Sequence, residues 1–231
     1  MNRSRPNSTR NQRNSKFPPL RAKGICFSGY FESNGRGVVW SKAEIFPVGR
    51  VPITGRFSLA GGQPYFADAP QTTRGMAILF KLPDGEEWRT AMINLPVFTV
   101  RTAQEFHDQL LAFAPERATG KADPAKTKAF LAKYPEAAKA MQLIAKRPIS
   151  SGFDNSTYNS LNAFRFINAS GVVTPVRWSM VPVQPFEPIS TTEPAKANKD
   201  YLFDALIASI HGHPLQWHLV VTIGPALGPD Q

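Results

Sequence analysis

Val51-Pro52-Ile53-Thr54-Gly55-Arg56-Phe57-Ser58-Leu59, followed by Arg74-Gly75-Met76-Ala77-Ile78-Leu79-Phe80-Lys81-Leu82, is the stretch that decides the fold. Both runs are rich in apolar residues and bounded by Gly or Pro, the pattern of consecutive β-strands. Residues 76–82 are almost continuously apolar, which predicts a strand buried on both faces. Working outward, residues 25–31 and 88–98 repeat the pattern on either side. Further on, 164–168 enter an Ala169-Ser170-Gly171 turn whose returning partner is 173–183, and 216–222 read as a later, partly exposed strand.

Helical spacing appears in the second half. Phe106, Leu110, Leu111 and Phe113 recur three or four apart, predicting a helix over 102–114. Asp123-Pro124 caps a second, with Phe130, Leu131 and Tyr134 on its apolar face. Pro135 opens a third through Met141, Leu143 and Ile144, and Asp200 starts a fourth that Gly212 ends. Residues 181–194 are proline-rich and read as an extended connection. Strands first and helices later define an α+β domain on an antiparallel sheet, closed into a barrel that hides its edges.

The 231 residues carry a net charge of +10, but seven of the 27 basic residues fall in residues 1–23 with no acid among them. The remainder is nearly balanced at +3. A start rich in Asn, Ser and Arg cannot bury enough surface to order itself, so 1–16 read as a disordered basic tail before a single domain, 17–231. That tail could serve as a nucleic-acid tether, although the balanced remainder argues against a nucleic-acid protein. No run approaches the roughly 20 apolar residues of a membrane span, and the polar start lacks a signal peptide's apolar stretch. The chain therefore reads as soluble and cytoplasmic. Lone Cys26 excludes an internal disulfide framework and reads as a buried small hydrophobe. His211, His213 and His218 have no Cys or acidic cluster beside them, so they read as a surface turn and no metal site is assigned.

Several motifs occur in a definite order. Arg56-Phe57-Ser58 precedes Gly61-Gly62, then come Arg74-Gly75-Met76-Ala77 and Pro96-Val97-Phe98 with Phe106 eight residues later. Gly120-Lys121-x-Asp123-Pro124, Tyr134-Pro135-Glu136, the run from Ser156 to Phe166, and Val176-Arg177-Trp178-Ser179-Met180 follow. Together they resemble the catalase-related haem peroxidases over residues 21 to about 225.

The resemblance implies a catalase-like antiparallel β-barrel with crossing helices that holds haem b. It implies hydrogen peroxide or an organic peroxide as oxidant and a small organic reductant as donor. Phe98 and Phe106 would line an apolar cavity inside the barrel against the haem, with Arg56 neutralising a propionate. Heterolysis of a peroxide needs a base that moves the proton from the near oxygen to the far one. Family members present His in His-Ala-Lys-Gly; this chain has Arg21-Ala22-Lys23-Gly24, and a guanidinium accepts no proton. Pro18 replaces the family's arginine three residues earlier, and the distal asparagine falls on Ile93, with Asn94 one position away. The family's proximal tyrosine helix lies beyond Gln231. The expectation is a haem-dependent peroxidase whose own activity is in doubt; the alternative is a non-catalytic barrel that binds haem or another apolar ligand. Oligomeric state stays open.

Overall fold

Alternation of large apolar and small or polar side chains divides the strands into a core face and an outer face. The computed structural model describes residues 22–61, 65–116, 120–189 and 198–225. The expected tail and Arg21 lie outside the described residues. Four strands come first: β1 (Gly24–Ser33), β2 (Gly49–Leu59), β3 (Arg74–Lys81) and β4 (Glu87–Ile93). Three helices follow, α1 (Ala103–Ala112), α2 (Pro124–Lys133) and α3 (Pro135–Lys146). The chain then returns to the sheet with β5 (Tyr158–Asn159), β6 (Phe164–Ile167) and β7 (Val173–Pro182), crosses through α4 (Tyr201–Gly212), and ends on β8 (Trp217–Ile223).

All eight strands belong to one antiparallel sheet. β1 to β4 pair in sequence order, and β4 reaches β7 through β5. β6 shares that side of β7, while β8 takes its other side. The α+β class is as the sequence predicts, but the expected closure is not found. Among the described residues β1 and β8 do not pair, so the sheet does not close and keeps open edges at β1, β8 and the short β6. Closure needs every backbone group of the two last strands to meet a partner in register, which side-chain patterning does not specify.

The core face carries Phe57, Met76, Ile78, Phe80, Met92, Trp178 and Met180, with Leu202, Phe203 and Leu206 of α4 packed against it. Trp178 Nε1 donates to Thr90 Oγ1 at 3.0 Å, so the buried indole keeps its hydrogen bond. β3 is buried on one face only: Met76, Ile78 and Phe80 point inward, whereas Ala77 and Lys81 are exposed. Its apolar outer residues are small or half-buried, which corrects the two-sided reading. Cys26 is likewise exposed, because it alternates with Ile25 and Phe27 onto the outer face of β1.

The first two helices begin where side chains supply hydrogen bonds to free amides. Thr102 accepts from Glu105 N at 3.2 Å, and Asp123 from Ala125 N at 2.8 Å. Pro135, lacking an amide hydrogen, ends α2 at Tyr134 and opens α3. Val100, Ala112, Phe130 and Ala137 form a second, smaller core beneath α1–α3. The connection after β7 is tied down where it is described: Ser151 N donates to Glu187 O at 2.7 Å and Ile189 N to Ile149 O at 2.8 Å.

Candidate functional site

Residues directly opposed in antiparallel strands share a face, so the register of β1–β4 builds the outer surface row by row. One row is Gly24, Ser58, Gly75 and Ile93; the next is Cys26, Arg56, Ala77 and Ala91. Six of these eight residues are small. The result is a shallow shelf, open to solvent at Gly24, Cys26, Ala77 and Ala91. Arg56 is the cation on it. Its Nη2 donates to Ala22 O at 2.5 Å, and it meets no carboxylate among the described residues. Glycine at 24 is a steric requirement, since a Cβ there would stand 2.4 Å from the backbone oxygen of Phe57 and 2.5 Å from the Arg56 guanidinium.

The other expected residues are distributed unevenly. Phe98 and Phe106 meet, ring centroids 5.6 Å apart at 37°, but are 46% and 40% exposed. Neither ring borders the cavity on the core side of the sheet. The large cavity, about 1180 Å³, is lined instead by such residues as Phe31, Ile53, Phe57, Trp217 and Leu219, on the core side of the sheet. Among the described residues no hydrogen bond or cation–π contact joins Arg56 to either ring. Asn94 turns away from the shelf: its Oδ1 accepts from Arg74 N and its own N donates to Arg74 O, both at 2.9 Å. Ile93 stands on the shelf in its place, the opposite orientation that a one-residue step along a strand imposes.

Three charged residues to which sequence reasoning assigned no role of their own hold the surroundings. Lys23, just before β1, contacts Asp68 at 2.5 Å and Asp200 at 2.7 Å and donates to Lys199 O at 2.9 Å. Burial pulls its pKa down, but hydrogen bonds and charge from Asp200 and Asp68 outweigh that and hold the ammonium above its usual range. Asp68 is fully buried and also accepts from Leu202 N at 2.8 Å, so one carboxylate ties the entry of β1 to the start of α4. Arg74 is fully buried as well. Its Nη1 donates to Ser150 O and Oγ at 2.8 Å and to Gly152 O at 2.9 Å, while Nε and Nη2 have no partner among the described residues. Burial depresses its pKa. Nothing local in sequence distinguishes these residues from surface charges, because their partners are 45 or more positions away.

An antiparallel sheet with α1–α3 inserted between β4 and β5 carries this shelf of small residues around one arginine, and its fold is that of solved catalases. A bacterial catalase superposes with a TM-score of 0.75 over 88% of this chain and 40% of its own, at 23% identity. A fungal catalase gives 0.73 over 87% and 42%, also at 23%. The family described as Catalase matches residues 18–226, and the chain belongs to it. Two catalase-related peroxidases are similar in sequence: that of Synechococcus elongatus is 34% identical over 87% of this chain, and that of Mycolicibacterium paratuberculosis 30% over 89%. The chain spans 60% and 65% of the lengths of these two relatives.

The family implies haem, and the shelf tests the fit. A floor with almost no protruding side chains admits a planar macrocycle, and a guanidinium that meets no carboxylate among the described residues suits its propionates. The fit is one-sided: no His or Tyr stands on either row to ligate iron.

Proposed function

We propose that this chain forms one wall of a haem-dependent peroxidase site, with haem b held against the outer face of β1–β4. The observation that supports the reading is the register-aligned shelf of Gly24, Ser58, Gly75, Ala77 and Ala91 beside Arg56. Arg56 would pair with a propionate, and the exposed rings of Phe98 and Phe106 would gain apolar cover. Haem supplies the redox-active iron. Hydrogen peroxide or an organic peroxide is the oxidant in this reading and a small organic molecule the donor, in a cytoplasmic setting.

The chain's own residues set the limit on turnover. Arg21 stands at the family's distal histidine; it stabilises negative charge on a leaving oxygen but cannot take up the first proton. Asn94 is held by the Arg74 backbone and does not face the shelf. The unmodified chain is therefore expected to decompose peroxide slowly, and Arg21→His alone to recover little, because neither row of the shelf offers iron a His or Tyr ligand.

Absorbance titration with haem b tests the binding independently of turnover. Arg56→Ala should weaken binding about tenfold, the loss of one charge-assisted hydrogen bond of about 1.5 kcal/mol. Ala77→Trp should block the shelf while leaving the inward residues of β3 untouched. Unchanged haem affinity in both variants refutes the shelf, and rapid peroxide turnover by the unmodified chain refutes the role given to Arg21.

A further inference from the structure

The cavity of about 1180 Å³ lies on the face of β1–β3 opposite the Arg56 shelf and has no part in the haem reading. Its walls are Phe31, Ile53 and Leu219 among other apolar side chains, and its lips are the unpaired edges of β1 and β8. It exceeds the roughly 300–1,000 Å³ of ordinary small-molecule pockets. It is also elongated. Residues 27–34 line it without a gap, a run of about 25 Å at roughly 3.3 Å per strand residue.

The rim is electrically lopsided. Glu32 is the one acid among the lining residues, and its carboxylate is taken by Arg50 at 2.7 Å. Arg36, His211, His213 and His218 also border the cavity, and none of these side chains has a hydrogen-bond or ion-pair partner among the described residues. An apolar trough with unpaired basic groups at its rim is complementary to a molecule with a long hydrocarbon body and one anionic head.

We propose that this cleft binds an amphipathic monocarboxylate, a long-chain fatty acid, with the tail along β1 and β8 and the carboxylate at Arg36 and the rim imidazoles. An extended chain suits a trough of this length better than a disc-shaped ligand does. The hydrophobic effect supplies most of the affinity, and Arg36 supplies the preference for an acid over a neutral head.

The test uses the full chain without added haem and follows tryptophan fluorescence, because Trp40 and Trp217 border the cleft. Dodecanoate, dodecanol and dodecyltrimethylammonium are titrated below their micelle-forming concentrations. Dodecanoate should bind saturably at one per chain, and dodecanol about tenfold more weakly, the value of one charged hydrogen bond. Arg36→Gln, at an exposed position, should bring dodecanoate to the affinity of the alcohol. Leu219→Trp, checked for an unchanged circular dichroism spectrum, should abolish binding of both by filling the cleft. Equal affinity for acid and alcohol, tighter binding of the cation, no effect of Arg36→Gln, or absence of saturation would each overturn the proposal. One-for-one displacement of dodecanoate by haem b would overturn it too, by placing the macrocycle in this cleft.

Discussion

At the scale of single residues, charges that are buried and paired matter more than charges that are numerous. Asp68 has no solvent access and serves both Lys23 and the Leu202 amide. Asp68→Ala should therefore cost about 3 kcal/mol in denaturant unfolding, since it strands the buried Leu202 amide and leaves the largely buried Lys23 ammonium with only the more exposed Asp200 as its carboxylate. Asp200→Ala, at the exposed end of the same cluster, should cost much less. Asp108 provides a pH handle between α1 and α2. Lys133, Tyr134 and Gln104 hydrogen-bond its carboxylate and hold its pKa well below the usual carboxylate range. Because the folded value is depressed, the stabilisation is complete above the unfolded value near 4 and disappears as pH falls through the folded one. Asp108→Asn should lower the melting temperature at neutral pH, and the gap between variant and parent should close on acidification. A gap independent of pH would contradict this coupling.

At the scale of elements, the helix starts are the most local features and so the most legible. Asp123 and Pro124 mark the first residues of α2 in sequence and in space. Asp123→Ala should destabilise the protein by about 1 kcal/mol, the usual value of a lost N-cap, measured as a shift in the unfolding midpoint. The seven longer strands were legible for the same reason: turn residues bound their apolar runs. β5 was not, because a two-residue pairing, Tyr158–Asn159, carries no periodicity. β3 was misjudged because Ala77 and Leu79 are apolar without being core residues. Arg56 was expected in the sequence to be a site residue, but the face it occupies was not legible there. Whether it points to the core or away from it depends on Phe57 pairing with Met76, which only the folded register reveals. For the same reason Asn94 could not be separated from Ile93 in sequence; the hydrogen bonds to Arg74 decide it.

At the scale of the whole molecule, the sheet presents two faces and, as its longest open edges, two ends. The outer face offers the arginine shelf, the inner face the elongated cleft, and the same three strands divide them. The ends are the edges left by the unclosed sheet, ten residues of β1 and seven of β8. Their outward amides lack ladder partners, so deuterium should enter alternate positions of β1 and β8 well before it enters β3, which is paired on both sides. These two edges differ from each other, and that difference has a consequence for concentrated solutions. A β1 edge that meets a β8 edge on the next molecule makes a heterologous contact, in which each copy keeps one edge free and no symmetry operation ends the series. Association by this route grows as an open filament rather than stopping at a dimer. Light scattering should rise without a plateau as concentration increases, and Val220→Lys, which puts a charge on the β8 edge, should suppress the rise while leaving the monomer folded.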